Sequence, residues 1–502
     1  MNEYEATIGL EIHVELKTKT KMFCNSINNP DEVLPNVNIC PVCLAHPGTL
    51  PVINKEAVAH VLRVGCAIGG TLADYTEFDR KNYFYPDLPK GYQISQYEYP
   101  LVSGGILRDV AVTRIHLEED TASSMHYDGS VSLDKTPDKS VTAGERSGET
   151  HVDYNRAGVP LMELVTEPVI KSAAQAGAFA RELQLLLRYL DVSEANMEKG
   201  QMRVEANISI RKIEDVGLDG AYGVLGTKVE IKNLNSFRAM ERAVEYEIIR
   251  QQQVLESGEE VIQETRGWDE GKQSTFAQRI KEGSADYRYF PDPDLPSLKI
   301  SEIPEFNADI LAKALPELPW NRRARYLAAG IQAEDAELYT RSLQLGAFFD
   351  DVVRSYEAPE LVRLASNYIA NDLSKILKDL GNRDTEIIAK IPISSDHFRK
   401  IIELLAAKKI SSRSAKDLLG FAVSDDRDPE VVAQEKGLFQ SVSVDDISAA
   451  IRGVLENNAS VVSEFKTGKQ SALEYLVGQC MKSLRGAADP GELRALIQKK
   501  IS

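Results

Sequence analysis

Glu11 and His13 stand two residues apart in the stretch GLEIHVEL, so on an extended strand they point to the same side. A carboxylate and an imidazole presented together suit a divalent cation; the alternative is a pair of solvated side chains. A second concentration of donors follows in RIHLEEDTAS, which holds Arg114, His116, Glu118, Glu119 and Asp120. Strict alternation places Glu118 with Arg114 and His116, and Glu119 with Ile115 and Leu117. These acids are either a solvated strand end or part of a metal site. Glu163, in GVPLMELV, is flanked by Met162 and Leu164. A carboxylate buried there without a partner is strongly disfavoured, and a cation shared with Glu11 would supply one.

Cys24, Cys40 and Cys43 form a second set, with CxxC at 40–43. Structural zinc takes four ligands in a tetrahedron, so three thiols are one short. His46, in CPVCLAH, is the nearest candidate for the fourth, and reduced cysteines in a loop are the alternative. Cys66 and Cys480 lie in apolar helical stretches and read as core. The stretch FDRKNYFYPDLPKGYQISQYEYP mixes Lys81 and Lys90 with Tyr83, Tyr85 and Tyr92. Rings beside cations suit a nucleotide or an RNA end, against the alternative of a packed aromatic loop. GSADYRYFPDPDLP is of similar character. GxxxxGK[ST], GxGxxG and GxSxG are all absent, which leaves a P-loop, a Rossmann dinucleotide site and a hydrolase elbow unsupported.

The elements that must position these residues are legible from their periodicity. IGLEIHVEL, RVEANISIRK and KVEIKNLNSF alternate apolar and polar residues, which predicts strands with one buried face. Helices are expected over Ala173–Tyr189 and Phe237–Leu255, the latter with Met240, Val244 and Ile248 at i, i+4 spacing. The region up to about residue 290 therefore reads as α+β with a largely antiparallel sheet. Pro291, Pro293, Pro296 and Pro304 then mark a boundary. From Asp309 onward the composition is helical, with a second break near Lys390–Ser395. The expected domains are 1–293, 294–394 and 395–502.

The chain of 502 residues carries 59 Lys+Arg against 76 Asp+Glu, a net charge of −17. So acidic a molecule does not attract a phosphate backbone over its whole surface, and any nucleic-acid partner needs a local basic patch. Lys466, Lys469, Lys482 and Arg485, with Arg494, Lys499 and Lys500, offer one, or else form a solvated helix surface. No apolar run is long enough for a membrane span, the first residues do not read as a secretory signal, and five cysteines with a CxxC fit reducing cytoplasm.

The stretches GLEIHVEL, CPVCLAHPGTLPV, FDRKNYFYPDLPKGYQISQ, IHLEEDTAS, DYNRAGVPLMELVTEP, EIKNLNSF, DYRYFPDPDLP and KTGKQSALEYLVGQCMK occur in this order over nearly the whole chain. Together they resemble the B subunits of the aspartyl/glutamyl-tRNA amidotransferases. The resemblance implies an α+β catalytic cradle, an all-α helical domain and an all-α tail that helps hold the tRNA, for which the basic patch of Lys466, Lys469, Lys482 and Arg485 is the expected contact. It implies a heterotrimer with an amidase subunit, which releases ammonia from glutamine, and a small third subunit. It also implies ATP-dependent phosphorylation of the side-chain carboxylate of Glu on tRNA(Gln) or Asp on tRNA(Asn), followed by displacement of the phosphate by ammonia. On the same ground Mg²⁺ is expected on Glu11, His13, Glu119 and Glu163, with Lys81 and Glu119 catalytic. Naive alternation favours Glu118 over Glu119, and a bulge would reconcile the two. Zinc-bearing members show Cys-x-Cys before the CxxC; here Ser26 takes the second position, leaving Cys24, Cys40 and Cys43 for a structural Zn²⁺. The rival readings are a non-catalytic tRNA-docking subunit and a stand-alone metallohydrolase.

Overall fold

The computed structural model describes residues 4–127, 149–213, 225–280, 286–381, 390–439, 444–484, 488 and 490–501. The chain divides into two compact units, Met1–Pro319 and Trp320–Ser502.

The first unit is built on a sheet whose central strand is β1 (Tyr4–Glu15). Ile8, Leu10, Ile12 and Val14 are buried on one face, so Glu11 and His13 must lie on the other. The other strands used below are β2 (Thr71–Leu72), β3 (Asp79–Asn82), β4 (Tyr92–Ser95), β5 (Val102–Ser103), β6 (Val110–Glu119), β7 (Pro160–Thr166), β8 (Met202–Lys212), β9 (Val229–Leu234), β10 (Glu264–Asp269), β11 (Ser274–Ile280) and β12 (Phe290–Pro291). The main sheet runs β11-β10-β9-β8-β1-β7-β6-β5-β2, with Ile106–Leu107 paired to β6. Its named pairings are antiparallel except β9 with β10. A smaller sheet, β12-β3-β4, carries the aromatic stretches.

The longer helices packed in this unit are α1 (Lys55–Ala67), α2 (Ala173–Tyr189) and α3 (Phe237–Glu256). Each begins at a side-chain cap, Asn54, Ser172 and Ser236, whose oxygen accepts amide N–H groups of the first turn. Phe179, Leu183 and Leu186 of α2 and Met240 and Val244 of α3 are fully buried. Helix α3 packs on β8 and on α2. Helix α1 crosses β5 closely because residue 65 is glycine; a Cβ there would fall 2.5 Å from a methyl of Val102.

The second unit is helical. Its larger buried cluster runs from Tyr326 to Ala433, with Tyr339 stacked on Phe349 at 4.5 Å and Phe348 edge-on to Phe398 at 5.4 Å. A smaller cluster spans Ile447 to Ile501. The fold class, a mixed-sheet unit followed by helices, is the expected one. The divisions of the core fall elsewhere than 293/294 and 394/395. The proline-rich stretch stays with the first unit because Leu298 and Lys299 pair with Thr76 and Tyr75. No core boundary falls near 394, because Phe398 of the helix Ser395–Ala406 is buried in the same cluster as Phe348. Among the described residues no helix is long and apolar enough to cross a membrane.

Candidate active site

Register across four adjacent strands creates the site. His13 of β1 lies opposite Arg203 of β8 on one side and Glu163 of β7 on the other, and Glu163 lies opposite His116 of β6. Side chains at paired positions share a face, so Arg203, His13, Glu163 and His116 form one row. His13 Nε2 and His116 Nε2 stand 3.4 and 3.3 Å from Glu163 Oε2. Glu11 and Glu118 flank the row, with carboxylate oxygens 3.7 and 3.6 Å from His13 Nε2. Arg114 Nη2 lies 3.4 Å from the other oxygen of Glu163. The row lines a cleft of about 490 Å³, together with Lys81, Arg203, Glu205 and Lys232.

The face is crowded with carboxylates, and its electrostatics follow. Burial and the neighbouring Glu163 push the Glu11 carboxyl up. Burial acts the same way on Glu163, but His116 and His13 overcome it and hold that acid well below its usual range. His13 is desolvated, which disfavours its charge, yet the carboxylates of Glu163, Glu118 and Glu11 lift it to about 9. Lys81 is likewise desolvated and is held cationic chiefly by Glu118. Two donor triads emerge, Glu11–His13–Glu163 and His116–Glu118–Glu163, each with ligand atoms within 4.8 Å of one another. Carboxylate oxygens with imidazole nitrogens fit a Mg²⁺- or Mn²⁺-type cation, and a cation would relieve the carboxylate repulsion that raises Glu11 and would take the place of the proton that the same carboxylates hold on His13.

Of the four ligands expected for Mg²⁺, the structure gathers Glu11, His13 and Glu163 and does not bring in Glu119. Its carboxylate oxygens lie 2.7 Å from Lys90 Nζ, and one accepts the Ile94 amide of β4 at 2.9 Å. Glu118 takes the place instead. Pairing of β6 with β7 is regular from His116 through Glu119, and the irregularity falls at the far end, between Val165 and Thr166. Without a bulge near the acids, alternation holds and Glu118 faces the cleft with His116. Glu119 lines a neighbouring cavity of about 310 Å³ with Lys90, Cys43 and His46. Lys81 is in the cleft as expected, its Nζ 5.1 Å from the Tyr287 ring. His116, Arg203 and Tyr289 complete the cleft beyond the expected residues. Alternation already sets His116 beside Glu118, and the stretch that holds Tyr289 is marked by its rings, whereas nothing local marks Arg203.

Cys24, Cys40 and Cys43 do converge. Hydrogen bonds from Cys24 and the Cys40 amide, with Lys21 alongside, pull the Cys43 thiol down to about 4. The Cys24 thiol moves the opposite way, raised by its hydrogen bond to Cys43 and by burial. The buried Lys21 Nζ lies 3.7 Å from Cys43 Sγ, and Ser26 Oγ 3.8 Å from it. His46 lies in the cavity wall and outside this cluster. The donor set therefore remains one short of the four that structural zinc takes. In the second unit Lys466, Lys469 and Lys482 are exposed, and Lys469 Nζ lies 2.8 Å from Glu464; Arg485 lies outside the described residues.

A sheet that presents an acidic, histidine-bearing row to a cleft, joined to a helical C-terminal unit, matches the model of the GatB/GatE catalytic domain over residues 6–304 and that of the GatB domain over 347–501. Similar proteins include the aspartyl/glutamyl-tRNA(Asn/Gln) amidotransferase B subunits of Carboxydothermus hydrogenoformans (40% identical, all of both chains), Synechocystis sp. (40%, all of this chain and 98% of the other) and Thermoanaerobacter pseudethanolicus (38%, all of both). The chain belongs to this family of tRNA-dependent amidotransferase B subunits.

Proposed function

We propose that the cleft carries the ATP-dependent half of an amidotransferase reaction on an acidic side chain esterified to tRNA. The support is the convergence, from four separate segments, of Glu11, His13, Glu118, Glu163 and Lys81 in one cavity. The names of the relatives refer to Asp, Glu, Asn and Gln and their tRNAs, which supports this substrate class. In this reading a side-chain carboxylate oxygen of tRNA-linked Glu or Asp attacks the γ-phosphorus of ATP. The bond to the β,γ-bridging oxygen breaks, ADP leaves, and an acyl phosphate remains. Ammonia then adds to the acyl carbon, the bond to the phosphate oxygen breaks, and loss of a proton leaves the amide.

The protein's task is positioning and charge stabilisation. Lys81, held cationic in a desolvated place, sits where charge develops on the transferred phosphoryl group. Arg114 and Lys232 add positive charge at the cleft wall. Glu11, His13, Glu118 and Glu163 would hold Mg²⁺, which neutralises phosphate oxygens when bound. Glu119, paired with Lys90 and tied to β4, orients the strand behind the cleft and touches no reacting atom. Ammonia is supplied by an amidase subunit, held in the complex with a small third subunit, and the lysines of the C-terminal helices contact tRNA phosphates.

The test is Glu163→Gln in the assembled heterotrimer. ATP cleavage dependent on Glu-tRNA(Gln) or Asp-tRNA(Asn) is expected to fall at least about a hundredfold, while glutamine hydrolysis by the complex remains measurable. Full transamidation by this variant would end the proposal.

A further inference from the structure

The two aromatic stretches, about two hundred residues apart, form one wall of the cleft. β12 pairs with β3, Phe290 opposite Arg80. Just outside that pairing the Asn82 amide donates to the Tyr287 carbonyl at 3.0 Å, and Asn82 Nδ2 donates to the carbonyls of Tyr287 and Arg288 at 3.1 and 2.8 Å. Arg80 Nε, bonded to Asp292 at 2.9 Å, fastens the same junction. This backbone splice sets Tyr287 and Tyr289 beside Tyr83 and Tyr97. Tyr97 and Tyr289 stack with centroids 4.3 Å apart and planes 8° from parallel. Tyr287 stands edge-on to Tyr289 at 6.0 Å and to Tyr83 at 5.9 Å. Tyr97 remains 61% exposed in spite of the stack, and it lines the cleft.

All four rings line the same cavity as the carboxylate–histidine row. Lys81 belongs to both halves, since its ammonium lies 5.1 Å from the Tyr287 ring and its charge is held by Glu118 and Glu163. One part of the cleft thus suits phosphate oxygens and another suits a planar π system. Neither ammonia nor an Asp or Glu side chain has a ring to place there. A polyanion joined to a heteroaromatic base uses both parts. Stacking on tyrosine accepts such a base by its face.

We propose that Tyr83, Tyr97, Tyr287 and Tyr289 form the subsite for the purine ring of the nucleoside triphosphate whose phosphates meet Lys81 and the donor row. The assignment rests on the reading that this cleft uses ATP. An adenine ring also terminates tRNA, so the experiment separates the two sources. Tyr289→Leu, Tyr97→Leu and Tyr289→Phe are made in the full chain within its heterotrimer. Equilibrium binding is measured for ATP and for inorganic tripolyphosphate, each with Mg²⁺, and KM for the mischarged tRNA is measured alongside.

The leucine variants are expected to weaken ATP binding about tenfold or more, with tripolyphosphate unchanged, KM for tRNA unchanged, and Tyr289→Phe close to the parent. Three results overturn the proposal: unchanged ATP affinity, equal weakening of both probes, or a rise in KM for tRNA alone, which would give the wall to the RNA terminus. Should Tyr289→Leu fail to fold, the exposed Tyr97 carries the same comparison. A parent complex that binds neither ATP nor tripolyphosphate overturns the underlying reading as well, which distinguishes that failure from a failure of the wall alone.

Discussion

Two adjacent glutamates with opposite fates show how fine the local control is. Glu118 and Glu119 are both buried, but Glu118 meets His13 and Ser95, whereas Glu119 meets Lys90 and the Ile94 amide. Glu118→Gln is expected to weaken Mn²⁺ binding by more than about tenfold, read by paramagnetic titration of the purified chain. Glu119→Gln should leave that affinity within about twofold and lower unfolding stability by about 1–3 kcal/mol, because Lys90 and the amide lose a charged partner. The reverse pattern would restore Glu119 to the cation set. This distinction is legible in the sequence, since period two alone puts Glu118 with His116. The family resemblance points to its neighbour, and reconciling the two would require a bulge that the regular pairing at His116–Glu119 lacks. Tyr287 and Tyr289 are legible as rings in a stretch of nucleotide-binding character, but not as neighbours of the carboxylate–histidine row. What places them is a pairing to β3 across about two hundred residues, which no local pattern encodes.

At the scale of elements, the caps and the periodicities carry most of the information. Helices α2 and α3 fall where composition and apolar spacing predict them, and in the fold a serine caps each. Helix α1 depends on a single side chain with several duties. Asn54 Oδ1 accepts from the amides of Glu56 and Ala57, while its Nδ2 donates to the carbonyls of Thr20 and Lys21. Asn54→Ala removes the cap and unties α1 from the segment that carries Lys21 and Cys24. A loss of about 2 kcal/mol is expected in urea unfolding, and Asn54→Asp should recover the capping share only. An unchanged midpoint for Asn54→Ala would contradict this account. The break expected near residue 394 illustrates the opposite case. Pro392 and two serines look like a linker locally, but Phe398 fills the same core as Phe348, and packing between helices is decided by shape rather than by punctuation.

On the scale of the whole molecule, a net charge of −17 confines any polyanion to places where cations are concentrated. The C-terminal helices are one such place, although Glu464 and Glu474 already engage Lys469 and Arg494. Replacing Lys466 and Lys482 by alanine is therefore expected to flatten the salt dependence of tRNA binding by about one unit for each phosphate interaction removed, and Lys469→Ala should do less. An unchanged slope in a filter-binding series over ionic strength would remove these lysines from the interface. The row that spans β8, β1, β7 and β6 has a different consequence. Insert or delete one codon within any of these strands and every residue beyond it trades sides: carboxylates and imidazoles enter the oily interior as aliphatic groups emerge into water. Such a gene loses chemistry and solubility in a single event, so chain length in these segments admits no gradual drift, and variation in size is left to the connections between them.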